Sequence, residues 1–390
     1  MWPLLSTLRR PLDMRTTRTS WCQWLMRKTY VEVDGFSSYA RITRGLIKQY
    51  NEDNRTHIYS RLSAPNYTRF EQILSPLLHG HAVSYSSGLS ALNAVLALLN
   101  PRHVSIGDGY HGCHGVLDLF GRLTGMKQLG LDCAAEELHE GDLIALETPV
   151  NPTGLAFNIE EYAKKAHSRG AYLMVDSTFA PPNLQDPFEW GADLVMHSGT
   201  KYFGGHSDLL CGVIATKRDD WARQLKTDRL YLGSVMGNME GWLGVRSLRT
   251  LELRVQRQSQ NTTQLVSWLH KALNTPNPAP GSDEAAVQAN LQLIYHASLQ
   301  PEPWVRKQMP NGFSPVFSIQ TTTEDRARRL PSKLSYFQHA TSLGGVESLI
   351  EWRTMSDATV DRRVLRISVG LENWEDLKAD LVAAFRAMHD

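Results

Sequence analysis

The sequence predicts an α/β protein with a mostly parallel sheet in a large domain and a smaller α+β domain at the C-terminal end. Three observations predict it. Short apolar runs alternate with amphipathic stretches over residues 82–216, a pattern typical of parallel strands covered by helices on both faces. Residues 275–282, rich in Pro, Asn and Gly, read as a loop or linker. Beyond them, strand patterns precede a last amphipathic helix.

The elements of the large domain follow from this alternation. We predict strands over 82–86, 103–106, 143–147, 171–176, 193–197 and 210–216. Helical patterns fill the gaps, including 89–99 and 159–169. Because ligands of such sheets bind at the carboxyl ends of the strands, residues that follow a strand directly are the candidates for chemistry.

The second half of the chain begins with one long predicted helix over 248–273, which leads out of the large domain. After the loop at 275–282 we predict strands over 313–320 and 364–369 and a helix over 373–388. The resulting domain organisation is an N-terminal arm (1–60), a large domain (61–250) and a C-terminal domain (251–390).

Composition narrows the class of protein. With 390 residues, 42% hydrophobic and 21% charged, the chain can bury a substantial core. Its net charge of +1 gives no electrostatic case for nucleic acid or membrane as partner, and no run of eighteen apolar residues exists. Four cysteines far apart are typical of reduced thiols in an intracellular enzyme. We therefore predict a cytoplasmic protein.

The N-terminal start leaves two interpretations open. Residues 1–18 carry four arginines and one acidic residue, a composition that a mitochondrial presequence also has. The other interpretation is a flexible arm that docks on a partner subunit.

Lys201 and Asp176 are the residues most informative about chemistry. Each lies at or near the end of a predicted strand, and they are 25 positions apart. A lysine in this setting can bond to the aldehyde of pyridoxal phosphate, and an aspartate can pair with the pyridinium nitrogen. The pair therefore predicts an enzyme of amino-acid carbanion chemistry.

Small and hydroxyl residues near these strand ends suit a phosphate. Ser86–Ser87–Gly88–Leu89 lies between a strand and a helix, where backbone N–H groups and the helix dipole favour an anion. Ser198 and Thr200 flank the lysine and can donate hydroxyl hydrogen bonds to the same group. Tyr110, just beyond a strand end, either stacks on the cofactor ring or anchors a turn.

No metal site is predicted. His111, Cys113 and His114 are close in a glycine-containing segment, but a fourth ligand is lacking nearby.

Six blocks of sequence resemble the Cys/Met metabolism family of pyridoxal phosphate enzymes. They are Tyr-Ser-Arg at 59–61 and the segments 147–152, 176–181, 197–202, 204–208 and 342–349. The resemblance covers roughly residues 55–385, with the blocks in the family order. The family holds cystathionine γ-synthase, the cystathionine lyases, methionine γ-lyase and the O-acetylhomoserine sulfhydrylases. It implies fold type I and a homotetramer of two catalytic dimers.

The resemblance also implies roles for the cofactor site. Tyr59 and Arg61 would reach the phosphate of the neighbouring subunit. Within the subunit, the implied cofactor residues are Gly88, Leu89, Ser198 and Thr200 at the phosphate, Tyr110 on the ring, Asp176 at the ring nitrogen, Asn151 near the ring hydroxyl, and Lys201. Lys201, Tyr110 and Asp176 are the implied catalytic residues.

For the substrate, Arg366 matches the family's arginine for the carboxylate, and Ser342 would assist from a facing loop. A guanidinium fork suits a planar anion. The alternative for Arg366 is a surface arginine on an edge strand.

Three positions depart from the family pattern for cystathionine. A glutamate before the Tyr-Ser-Arg block is here Ile58, an arginine five residues after the stacking tyrosine is here Gly115, and a glutamate before the 342–349 block is here Thr341. Because a buried charge needs a partner, cystathionine is in doubt as the natural ligand. The alternative is that other residues bind its distal end.

The sequence thus predicts γ-replacement on an O-activated homoserine, with a thiol, sulfide, carbon or amine nucleophile. Lys201, with a pKa depressed by desolvation, would be the general base. Elimination from cystathionine or methionine shares the early steps and is the alternative. A non-catalytic descendant is the third hypothesis, although Lys201, Asp176 and Arg366 are all present.

Overall fold

The structure, a computed structural model, describes residue 57 and residues 59–388. Residues 63–388 belong to one compact unit, and the few described residues before them belong to another. Most of the predicted N-terminal arm, and Ile58, therefore lie outside the described residues.

A seven-stranded sheet forms the large part of the compact unit. Its strands are β1 (His81–Tyr85), β2 (His103–Ile106), β3 (Lys127–Gly130), β4 (Leu143–Glu147), β5 (Tyr172–Asp176), β6 (Leu194–Ser198) and β7 (Gly212–Thr216). Their order is β1-β7-β6-β5-β4-β2-β3. Strands β3, β2, β4, β5 and β6 pair in parallel, and β7 runs antiparallel to both its neighbours. The predicted mostly parallel sheet is confirmed.

Helices cover both faces of this sheet and bury two apolar clusters. They are α1 (Pro65–Leu77), α2 (Gly88–Leu99), α3 (His111–Thr124), α4 (Ile159–His167), α5 (Asp219–Leu232) and α6 (Asn238–Leu248). Helix α2 shows how the sequence sets a boundary. The Ser87 hydroxyl accepts from the Ser90 N–H at its start, and Asn100 takes a left-handed conformation at its end.

A buried ion pair ties three of these elements together. Glu71 of α1 accepts from Arg229 of α5 at 2.5 Å and from both the amide and the hydroxyl of Ser84 in β1. Both charged side chains are more than nine-tenths buried. Removing either partner would leave an unpaired buried charge, so the pair fixes how these elements pack.

The C-terminal part holds a second, five-stranded sheet. After α7 (Leu251–Leu273) and α8 (Asp283–Asn290) come β8 (Leu291–Tyr295), α9 (Pro303–Gln308), β9 (Val316–Thr321), α10 (Glu324–Arg329), β10 (Gln338–His339), β11 (Leu349–Trp352), β12 (Val364–Ser368) and α11 (Trp374–Arg386). The strand order is β10-β11-β12-β9-β8, with all pairs antiparallel except β10 with β11. A third apolar cluster lies between this sheet and its helices.

The long helix predicted over 248–273 is interrupted near its start. Helix α6 ends at Leu248 and α7 begins at Leu251, because Thr250 leaves the helical region at φ −119° and ψ 10°. The guanidinium of Arg254 donates to the carbonyls of Ser247 and Tyr202. The Ser247 carbonyl, next to the break, therefore has a hydrogen-bond partner. Apolar periodicity continues through the break and therefore conceals it.

The two sheets meet through the loop after β4. Ser318 of β9 donates to the carbonyl of Pro152 in this loop at 2.7 Å. Gly154 has φ +70°, and a Cβ there would lie 2.4 Å from the carbonyl oxygen of Val316. Glycine at this position thus lets the loop touch the backbone of the small sheet.

The predicted fold class is confirmed, and the domain boundaries at 60 and 250 stay a prediction. Among the described residues, no helix combines the length and apolar character that crossing a membrane requires.

Candidate active site

Asp176 lies at the carboxyl end of β5, near the middle of the large sheet. One carboxylate oxygen accepts from the amide (3.0 Å) and the hydroxyl (2.5 Å) of Thr178. The Thr178 hydroxyl in turn accepts from the Ser198 amide at 2.8 Å, which joins the ends of β5 and β6. The second carboxylate oxygen makes no hydrogen bond to the described residues, and Asp176 lines a cleft.

Glu147, at the end of β4, lies directly opposite Asp176 in the strand register. Its carboxylate accepts from the amides of Tyr110 (2.9 Å) and Asn151 (2.7 Å). Burial, and then the nearby Asp176 carboxylate, raise the pKa of Glu147 to about 8. Glu147 was not among the predicted site residues, although its place at the end of a predicted strand is the same signal that identified Asp176.

The cleft beside these carboxylates suits a cationic ring. It is lined by side chains and glycines from β2, β4, β5, β6 and the start of α3, among them Gly107, Gly109, Tyr110, Cys113, Ala145, Glu147, Met174, Asp176 and Met196. Burial raises the pKa of Asp176, so the anion lacks a compensating positive charge. A protonated pyridine nitrogen would supply that charge. Tyr110, at the mouth of the cleft, is 43% exposed and available to cover such a ring.

Lys201 lies just after β6, and its Nζ is 3.5 Å from the Ser342 hydroxyl. Burial, followed by the positive charge of Arg366, lowers the pKa of Lys201 to about 8. The direction is the one expected from the sequence. Gly344 has φ +77°, and a Cβ there would approach the backbone of Lys201 and Tyr202 to 3.1–3.2 Å. Glycine therefore permits the loop that carries Ser342 to pack on the lysine.

Of the predicted phosphate residues, Gly88 and Leu89 open α2, and Ser198 at the end of β6 lies beside Gly88. Gly88 faces Ser198, since a Cβ at Gly88 would lie 3.3 Å from the Ser198 Cβ. Leu89 is the second residue of the first turn, where backbone N–H groups are free of helical partners. The Ser198 hydroxyl makes no hydrogen bond to a described residue. By contrast, Thr200 already donates to the Cys211 carbonyl and accepts from its amide.

These features fit pyridoxal phosphate. Three features match the ring nitrogen, the aldehyde and the phosphate of that cofactor. They are, in the same order, the carboxylate of Asp176 without a neutralising charge, Lys201 with its lowered pKa, and the helix start with its small residues. The side-chain oxygen of Asn151 accepts from Arg366 at 3.0 Å, and its predicted place near the ring hydroxyl stays a prediction.

Arg366 is buried at the centre of the small sheet, so the edge-strand alternative is wrong. It lies on β12, between β11 and β9, and is 4% exposed. Besides Asn151, its guanidinium contacts the carbonyls of Thr341 and Ser342 and the Glu351 carboxylate. Burial, against the opposing effect of Glu351, lowers the pKa of Arg366 to about 10. The site therefore holds a desolvated guanidinium, a group that binds carboxylates.

Glu351 and Arg353 extend this charged group, and neither was among the predicted site residues. Glu351, on β11, lies opposite Arg366 in the register, and its Oε2 is 2.6 Å from Arg366 and 2.9 Å from Arg353. Strand β11 was not predicted, so the pairing that brings these residues together had no sequence signal.

The remaining predicted residues lie at the surface. Tyr59 is 51% exposed, and the Arg61 guanidinium lies 5.2 Å from its ring centroid. Gly115, on α3, and Thr341, before the Ser342 loop, are both exposed. Of the three departures from the cystathionine pattern, these two are described, and both positions have room for a ligand.

Residues 111–114 do not form a compact ligand set, since Cys113 is buried while His111 is exposed. A different group, His103, His139 and Asp142, brings three metal-ligating atoms within 4.8 Å of one another. The Asp142 carboxylate there accepts from the backbone amides of His103 and His139. It thus caps the start of β2, and these contacts account for its position.

Comparison with known proteins agrees with the site. A family model described as "Cys/Met metabolism PLP-dependent enzyme" matches residues 28–386. A cystathionine β-lyase of Lactococcus lactis is 31% identical, over 89% of this chain and 91% of that protein. A cystathionine γ-synthase of Escherichia coli is 32% identical, over 85% and 88% respectively. A solved structure of metB from Corynebacterium glutamicum superimposes with a TM-score of 0.80 at 27% identity, covering 98% of this chain and 96% of that one.

The lowered pKa of Lys201 predicts a pH-dependent effect on stability. In the cofactor-free protein, Lys201→Met should raise the free energy of unfolding by about 1–3 kcal/mol below pH 8, because the variant removes a buried ammonium. The gain should shrink between pH 8 and 10.5, where the folded lysine is neutral and the unfolded one is still protonated. Urea unfolding at pH 7.5 and pH 10 measures it. A gain that does not change with pH would contradict the lowered pKa.

Proposed function

The chain belongs to the Cys/Met metabolism family of pyridoxal 5'-phosphate-dependent enzymes, and from its site we propose that it catalyses γ-replacement on an O-activated homoserine. The observation that carries the proposal is the lack of charge at exposed Gly115 and Thr341, beside the cleft and the Arg366 site. Both positions are ones where the family resemblance leads us to expect charges that bind the distal end of cystathionine.

The residues of the chain divide the work as follows. The cofactor, when bound, withdraws electrons from the substrate Cα. Asp176, which lines the cleft, would hold a proton on the ring nitrogen. Arg366 binds the substrate α-carboxylate and so orients the Cα–H bond. Lys201, with its pKa near 8, accepts the Cα proton and moves protons at Cβ during loss of the Cγ substituent.

The choice of second substrate rests on desolvation. Cystathionine carries an ammonium and a carboxylate at its distal end, and each needs a partner when water is excluded. Gly115 offers no side chain, and the carbonyl of Thr341 already accepts from Arg366. A less charged nucleophile, such as a thiol, sulfide, carbon or amine nucleophile, avoids this cost.

Elimination is the second candidate function, and the similarity to lyases favours it. Among the similar proteins are the Lactococcus β-lyase and a cystathionine γ-lyase of Bacillus subtilis that is 32% identical. Lys201, Asp176 and Arg366 would serve elimination from cystathionine or methionine equally well.

We also propose an oligomeric state for the chain. We expect a tetramer of two catalytic dimers, with Tyr59 and Arg61 bound to the phosphate of the neighbouring subunit. The exposure of Tyr59 supports this role, because an exposed aromatic ring beside an arginine is available to a partner.

Product analysis tests the reaction type. We expect the holoenzyme with O-acetylhomoserine and a panel of thiols, sulfide, amines and stabilised carbanions to give a Cγ adduct plus acetate, detected by mass spectrometry. Lys201→Ala, as control, should give no adduct. Formation of 2-oxobutyrate and ammonia with every nucleophile would reject replacement in favour of elimination.

Restoring charge at the two open positions tests the account of specificity. A Cβ at Gly115 meets nothing within 4 Å, so Gly115→Arg should fold normally. The double variant Gly115→Arg/Thr341→Glu should raise kcat/KM for cystathionine about a hundredfold or more, since each of the two new charge-assisted hydrogen bonds contributes about 1.5–3 kcal/mol and about 1.4 kcal/mol corresponds to a factor of ten. Gly115→Ala is the matched control and should leave that rate unchanged. A wild-type rate with cystathionine equal to its rate with O-acetylhomoserine would show that these positions do not exclude cystathionine.

A further inference from the structure

Arg366, Glu351 and Arg353 form a buried charged cluster at the edge of the site. All three residues are at most 4% exposed. The Glu351 Oε2 contacts Arg366 at 2.6 Å and Arg353 at 2.9 Å, and its Oε1 accepts from the Ser356 hydroxyl at 2.6 Å. Two guanidinium groups therefore share the Glu351 carboxylate.

The donors of Arg366 that face Glu351 are already occupied. Its Nη2 has two hydrogens, and three acceptors surround it: the Glu351 carboxylate and the carbonyls of Thr341 and Ser342. Nη1 donates to Asn151. A substrate carboxylate that binds Arg366 through both terminal nitrogens must take the place of one of these acceptors.

Arg353 has the complementary property of unused donors. Its Nε and Nη2 are buried and have no hydrogen-bond partner among the described residues. The Asp357 carboxylate lies 3.9 Å from Nη2, close enough for an ion pair but beyond hydrogen-bond distance. Buried donors without a partner destabilise the state that contains them. Arg353 can therefore donate further hydrogen bonds to the Glu351 carboxylate, in addition to the one from Nη1 in this structure.

We infer that Glu351 is a displaceable internal carboxylate: it leaves Arg366 for the free donors of Arg353 when the substrate α-carboxylate binds. Glu351 and Arg353 are thus positioning residues that set the affinity of the site for amino-acid carboxylates. The inference rests on the proposed role of Arg366 as ligand of that carboxylate. The incoming anion takes the place of Glu351 on Arg366, and Glu351 then pairs with Arg353 alone.

Ligand binding to the holoenzyme tests this exchange without turnover. The probes are L-norvaline and n-butylamine, which have the same carbon chain with and without the carboxylate, and calorimetry gives each Kd. Glu351→Gln removes the charged competitor and should lower the Kd of norvaline at least fivefold. Arg353→Met removes the donors that would bind the displaced Glu351 and should raise the Kd of norvaline about tenfold. Arg353→Lys should recover part of this lost affinity. The Kd of butylamine should stay within twofold of wild type in all variants.

The double variant and one further control separate the possible failures. In Glu351→Gln/Arg353→Met the norvaline Kd should not exceed that of Glu351→Gln by more than twofold, since no displaced carboxylate remains. Weaker norvaline binding in Glu351→Gln, or no change in either single variant, would overturn the exchange. If Arg366→Met still abolishes the preference for norvaline over butylamine, the proposed role of Arg366 survives that failure. If Arg366→Met leaves the preference intact, both the role and the exchange are rejected.

Discussion

The burial of the Arg366 guanidinium is the constraint on which the arrangement of the site depends. A cation that is 4% exposed must be compensated by acceptors drawn from its surroundings. Those acceptors come from three places: Asn151 after β4 of the large sheet, the Thr341–Ser342 carbonyls of the loop that packs on Lys201, and Glu351 of the neighbouring strand. One buried charge thus contacts both sheets and the loop that packs on Lys201, and so fixes their positions around the cleft.

Without ligands, burial destabilises the charged forms of several side chains in the site. Each of these side chains is complementary to one part of a ligand. Burial raises the pKa of Asp176 and Glu147 and lowers that of Lys201 and Arg366. A cationic ring nitrogen would compensate the carboxylates, and a substrate carboxylate would compensate the arginine. A pocket whose buried charged groups are fixed in place before a ligand binds is preorganised for a charged cofactor and a zwitterionic amino acid.

Most strands of the large sheet could be predicted from sequence, because each has a clear apolar pattern, and Asp176 and Lys201 could be identified from their places at or just after two of these strands. The other cofactor residues follow from the family resemblance, and their roles stay predictions. Strand β11 was missed, since Leu349–Trp352 is only four residues long and follows a loop with positive-φ Gly344. The Glu351–Arg366 contact depends on cross-strand register, and the Glu147–Asp176 contact on the adjacency of β4 and β5. Pairings of this kind are decided by tertiary packing, so local sequence patterns do not predict them.

The residues proposed to hold the cofactor would serve replacement and elimination alike, whereas we propose that Gly115, Thr341 and the Glu351–Arg353 pair govern which charged groups the site accepts. The central claim is that Lys201 is the lysine that bonds the cofactor. Reduction of the holoenzyme with sodium borohydride, followed by proteolysis and mass spectrometry, tests it most directly. The account predicts the reduced cofactor on the peptide that contains Lys201 and on no other peptide. Attachment to any other lysine would contradict it.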